Sequence, residues 1–135
     1  MATEIPEGPI TVSEPLPEAI RTAIAEFNAG DYYPCHDTIE EHWVREVGQQ
    51  RILYQGILQI GIALYHIENG NWRGAVKMLE RGIPKLRPFV PNCQGIAVAP
   101  LLEAAEKIEA HLNELGAERI EAFAITFPKI ALSES

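Results

Sequence analysis

The sequence predicts an all-α fold, an up-and-down bundle of about five helices built from tetratricopeptide-like helix hairpins. Three observations predict it. Apolar residues recur at helical spacing from Leu16 almost to the end of the chain. Glycines 30, 48 and 70 sit at short joints, which make successive helices antiparallel. No stretch alternates apolar and polar residues as a half-buried strand would.

The elements follow in order. Residues 1–15 are rich in Pro and Glu and predict a flexible N-terminal arm, ahead of a bundle domain at 16–122. Leu16, Ile20, Ala23, Ile24 and Phe27 mark the first helix, stopped by Gly30. Asp31 is placed to cap the second, with Pro34 in the first turn, where a missing N–H costs nothing. That helix is predicted to run to about Val47, with Gly48 ending it. The third spans about Gln49 to Glu68 and ends at Asn69-Gly70. Asn71 caps the fourth, NWRGAVKMLERGI, which Gly82 and Pro84 should end or kink. The segment IPKLRPFVPNCQGIAV holds three prolines and predicts the longest irregular piece. A fifth helix opens near Pro100, carries Leu101, Ala105, Ile108, Leu112 and Leu115 inward, and closes at Gly116. The apolar stretch within 123–135, FAITFPKIAL, predicts a tail packed across the body.

FNAGDYYPCHDTIEE and IENGNWRGAVKMLER align at an offset of about 40 residues, a period seen in helical repeats. Gly30 matches Gly70, Asp31 Asn71, Tyr32 Trp72, Cys35 Ala75 and Ile39 Leu79. Two units are too few for a solenoid, so the match reads as shared helix-turn-helix grammar.

Charge narrows the partners. The 11 Lys and Arg against 19 Asp and Glu give a formal charge of −8, with the positives scattered, so neither nucleic acid nor an anionic membrane is an expected partner. Cys35 and Cys93 form no C-x-x-C pair and imply no disulfide framework. Cys35, in a first helical turn, has a dipole that would lower its pKa, weighed against the plainer role of a small buried thiol. MATEIPEGPITVSEP has no basic region and apolar core of a signal peptide, and Gln55 and Gln59 interrupt the one long apolar run. A cytoplasmic location is expected.

The candidate site is a polar stripe. At about 100° per residue, His36, Glu40, Trp43 and Val47 fall within roughly 60° of arc, on the face shared with apolar neighbours. Gln55, Gln59, Ile62 and His66 form a matching line on the third helix. Five polar groups from two helices, His36, Glu40, Gln55, Gln59 and His66, are thus expected inside one core region, in a network that satisfies them. Three readings stay open: a network that only sets helix register, a pocket with Glu40 as base or anion beside His36 and His66, and a metal site on those three residues. His42 and His111 fall off the apolar arcs and are expected at the surface. HDTIEEH is neither H-E-x-x-H nor H-x-x-E-H, and no phosphate loop or nucleophile elbow is present. No cofactor is expected, a divalent metal at His36, Glu40 and His66 being the alternative.

FNAGDYYPCHDTIEEHW, the run from Arg51 through QGILQ to His66, and NGNWRGAVKML together resemble domain-of-unknown-function family 309, over roughly residues 19–90. Asp37 and Ile39 depart from that pattern, which favours Glu and Leu there. The resemblance implies a helical meander and assigns no activity. It implies that His36, Glu40, Trp43, Arg51, Gln55, Gln59 and His66 belong to one pattern, with Arg51 near enough to pair with Glu40. The expected function is a non-catalytic binding or interaction domain, taking a protein partner or a second copy of the chain. The alternative is a hydrolase-like pocket built on His36, Glu40 and His66.

Overall fold

In the computed structural model, which describes residues 5–133, the helices follow in chain order as α1 (Glu18–Asn28), α2 (Tyr32–Trp43), α3 (Gln50–Glu68), α4 (Trp72–Leu86) and α5 (Val98–Leu115). The first four residues of the expected arm and the last two of the tail lie outside the described residues. Each helix packs on the next, and the bundle is all-α as the periodicity predicts. None of the described helices is long and apolar enough to cross a membrane.

The two repeat-like elbows turn on Gly30 (φ 82°) and Gly70 (φ 70°). Nothing lies within 4 Å of an added Cβ at either, so the left-handed backbone alone calls for glycine. The caps differ. Asn71 Oδ1 accepts the Gly74 N–H at 2.9 Å, whereas Asp31 stands at its N-cap without a side-chain bond. The aromatic at each elbow also finds its own partner: Tyr32 packs edge-on to Phe27 and Phe127, and Trp72 Nε1 donates to the Leu112 carbonyl at 2.7 Å.

α3 is the centre of the bundle. Leu53, Tyr54, Ile57, Ile60, Ala63 and Leu64 are fully buried. α4 lies against it at glycines: a Cβ on Gly82 would stand 3.1 Å from the Gly56 carbonyl, and one on Gly56 3.3 Å from the Gly82 carbonyl. The two backbones approach closely here, and a side chain at either position would crowd the facing helix.

Three expectations are corrected. α2 stops at Trp43 rather than near Val47, which is 97% exposed. The chain turns early because Trp43 Nε1 donates to the Arg51 carbonyl at 3.0 Å, while the Glu46 carboxylate folds back onto His42 and the Gln50 side chain. α4 runs through Pro84 to Leu86, since buried Ile83 and Leu86 hold its last turn on the core despite the lost hydrogen bond. The proline-rich piece is also less irregular than expected. After a 3-10 turn at Arg87–Phe89 it forms a small hairpin, β1 (Asn92–Cys93) antiparallel to β2 (Ile96–Ala97). Positive φ at Gln94 (53°) and Gly95 (84°) is what a type I′ turn requires.

The described segments before α1 and after α5 are tied to this hairpin and to the 3-10 turn ahead of it. Gln94 Nε2 donates to the carbonyl of Glu14 at 3.0 Å, and Ile10 N–H to that of Pro88 at 2.8 Å. Beyond the 3-10 turn Ala117–Ala122, the Ala97 N–H donates to Ala131 and the Ser133 N–H to Gly95. The Asn28 amide clamps Ile130 from both sides, donating to its carbonyl at 2.9 Å and accepting its N–H at 2.7 Å.

Candidate functional site

Apart from the buried Gln59, the polar stripe lies on an open face rather than in the core. His36 Nε2 and Glu40 Oε2 are 3.2 Å apart, one helical turn along α2, but the two side chains are 25% and 61% exposed. His36 Nδ1 faces Asp37 at 3.2 Å. Glu40 therefore needs no buried partner, and the sealed network expected around it does not form. A helical wheel places a residue on an arc, but cannot tell the middle of a core from the seam where two helices part.

The other members turn to separate partners. Gln59, 9% exposed, accepts from Lys85 Nζ of α4 at 2.8 Å through Oε1. His66 Nδ1 meets Asn71 Nδ2 at 3.3 Å. Because Asn71 Oδ1 is committed to Gly74, its Nδ2 is the donor, so neutral His66 carries its proton on Nε2 by inference from that bond. Arg51 does not pair with Glu40. Its guanidinium lies over the Trp43 ring at 3.7 Å, and its Nε donates to the Trp43 carbonyl at 3.4 Å. That stack and the indole bond close the α2–α3 joint.

What these residues line are two clefts along one side of α3. A cleft of about 250 Å³ opens between Trp43, Arg51, Ile52 and Gln55. A second, of about 390 Å³, lies between α2, α3 and α4, with His36, Gln59 and His66 in its walls. Six of the seven stripe residues thus line the two clefts, and Glu40 stands on the rim beside His36. Residues 51 to 66 place them over roughly 22 Å of helix.

Sequence reasoning missed part of the second cleft. Tyr33 and Tyr65 meet edge-on across its mouth with ring centres 5.3 Å apart. Leu58, Ile62 and Met78 supply its apolar walls, and Arg81 reaches in from α4. Met78, Arg81 and Lys85 were legible as an i, i+3, i+7 row of α4, but that row has meaning only beside α3. The two remaining histidines are half-buried, not at the surface. His42 bonds Glu46 at 2.9 Å and lies edge-on to Tyr54, and His111 packs on Phe123.

The chemistry available is limited. Burial, and after it the Glu26 charge, pushes the Cys35 thiol up to about 12, and burial pushes Cys93 to about 11. Both are protonated at neutral pH and are poor nucleophiles, which corrects the idea of a dipole-activated Cys35. Among the described residues no three His, Cys, Asp or Glu side chains converge to hold a metal ion, and His66 bonds Asn71 rather than joining His36 and Glu40. Burial first, then the positive charge of Arg81, holds the Lys85 ammonium below the usual lysine range.

Residues 20–78 match the family described as Domain of unknown function (DUF309). They run from α1 into α4 and take in both elbows and every residue of the stripe. The chain is 35% identical over 69 residues to "Uncharacterized protein YpuF" of Bacillus subtilis (strain 168), covering 50% of this chain and 40% of that protein. It is 26% identical over 105 residues to an "Uncharacterized protein" of Aquifex aeolicus (strain VF5), covering 76% of this chain and 29% of that one. The chain thus spans less than half the length of these relatives.

Proposed function

We propose that this chain, whose residues 20–78 match the DUF309 family, is a non-catalytic binding domain that docks a protein segment along the α2–α3–α4 face. One observation carries the reading: two clefts follow each other along one side of α3, lined by Trp43, Arg51, Gln55, Gln59, His36 and His66. A linear polypeptide suits a surface of that length better than a compact substrate does. Aromatic and apolar walls with a polar rim are the composition of a docking groove. In the carboxylate–imidazole pair of the stripe the Glu40 side chain is 61% exposed, so its carboxylate is not enclosed in a pocket around a substrate. The paired helix hairpins supply the rigid support a docking groove needs. We place this role in the cytoplasm, since two buried, unpaired thiols suit a reducing compartment.

Site-specific photo-crosslinking in cells that make the protein tests the reading. A photoreactive residue at Tyr33 or Gln55, both reaching the clefts, should give a discrete protein adduct, and one at Glu103 on α5 should not. Adducts of equal yield from all three positions, or from none, would overturn it.

A further inference from the structure

Resting on that groove, we propose that its occupant is an acidic protein segment, and that Arg81, Lys85 and Gln59 form the corner that receives one of its carboxylates. The chain carries −8 overall, yet Arg51, Arg81 and Lys85 all border this one face. Among the described residues these three have no carboxylate within ion-pair distance, as is true of most of the chain's 11 Lys and Arg, Arg45, Arg87 and Lys107 being the paired ones. Asp37 and Glu40, the acids of the rim, each stand 3.2 Å from a ring nitrogen of His36. What marks this face is that three cations border its clefts in a chain of excess carboxylates, which favours a partner that brings its own acids.

The corner itself is built of donors. An ammonium only donates, so the bond from Lys85 fixes Gln59 Oε1 toward α4 and leaves the amide N–H groups pointing away from it. Gln59 is more than nine-tenths buried and lines the cleft, and its amide nitrogen has no partner among the described residues. Arg81 adds the planar fork that matches a carboxylate. Lys85 Nζ is also 3.2 Å from the Arg81 carbonyl, which keeps the ammonium in the same turn. Two cations one turn apart, the inner one partly desolvated, disfavour each other, and an anion between them relieves that cost. The apolar walls argue against a bare anion, which would leave Leu58, Ile62 and Met78 wet. The overall negative charge argues against nucleic acid, whose closely spaced phosphates three cations cannot offset. Isolated carboxylates among apolar residues fit both features.

The test is titration of the isotope-labelled full chain, followed by NMR, with three probes at low salt: a short acetylated peptide alternating Glu with Leu and Phe, the same peptide with Gln for Glu, and an oligothymidylate. The Glu peptide should shift the Gln59 side-chain amide and the backbone amides around Arg81. Its affinity should exceed that of the Gln peptide by about tenfold, the worth of one charge-assisted contact. Arg81→Ala, at an exposed position, should remove most of that preference without changing the melting temperature. Equal binding of the two peptides, no binding by either, an unaltered preference in Arg81→Ala, or tighter binding of the oligothymidylate at this corner would each overturn the proposal. If crosslinks still form at Tyr33 and Gln55 in that event, the groove reading stands and only the acidic character of its occupant falls.

Discussion

α3 has two sides that the same stretch of sequence builds with different results. On one, Leu53, Tyr54, Ile57, Ile60 and Leu64 are at 0% exposure, packed between α2 and α4. On the other, Arg51, Gln55, Leu58, Ile62 and Tyr65 are half-buried and line the clefts. Both sides contain apolar residues, so hydrophobicity alone does not separate them. What separates them is packing: the inner side has helices closing over it, whereas on the outer side α2 and α4 part and leave a seam. A line of glutamines and histidines at helical spacing, bordered by Leu, Ile and Tyr, is the signature of that seam. Polar groups there keep water or a partner within reach and need no internal network.

The largest expected effect comes from the inner side. Ile60→Ala removes a fully buried side chain that also touches the glycine contact between α3 and α4, and should cost about 2–5 kcal/mol. Chemical denaturation measures it, and a loss below about 1 kcal/mol would mean that the inner side is not close-packed.

A smaller effect sharpens the contrast through pH. The Tyr54 phenol donates to Gln94 Oε1 at 2.5 Å, linking the inner side of α3 to the hairpin turn. Burial, then the Glu46 charge, raises its pKa above the usual 10.0. In the unfolded chain the phenol ionises near pH 10, while in the folded one it keeps its proton to higher pH. Its contribution to stability is therefore complete below pH 10 and is lost as pH rises beyond. Tyr54→Phe should cost about 1 kcal/mol at neutral pH and flatten part of the alkaline decline, leaving the share of Tyr32 and Cys35, whose pKa values are raised in the same direction. Denaturation midpoints compared on either side of pH 10 decide it. An alkaline slope as steep as that of wild type would remove Tyr54 from the account.

The smallest effect belongs to the outer side. Glu40→Gln touches an exposed pair with His36 and should change stability by less than about 0.5 kcal/mol. A buried network would instead lose about 3–5 kcal/mol when one partner is removed. A measured loss above about 1 kcal/mol would put Glu40 back inside the protein.

Much of this molecule is legible along the chain. Gly30 and Gly70 announce the elbows because a left-handed residue is a local need that glycine meets locally. Asn71 announces its cap for the same reason. Asp31 shows the limit: it occupies the matching position and makes no cap bond, so residue type gave the place and not the interaction. The end of α2 was misplaced by several residues because the contacts that decide it, Trp43 to Arg51 and Glu46 to Gln50, cross a joint. The hairpin was hidden in a proline-rich segment whose strands are two residues each, too short to alternate. Of the candidate site, the stripe residues were found, but Arg81 and Lys85 were not, because they reach it from a different helix.

By itself, then, the sequence determined the helical class, the order of the helices, the elbows, and a line of polar residues running the length of α3. These depend on local conformational preference and on periodicity, which a chain carries wherever it goes. Tertiary structure alone decided that the line faces outward, that Gln59 looks to Lys85 rather than Glu40, and that Arg51 stacks on Trp43 instead of forming an ion pair. The physical reason is that burial is not a property of a residue or of a helix face. It depends on whether a second helix covers that face, and here Gly56 and Gly82 draw α4 tightly onto one side of α3 while the other side opens.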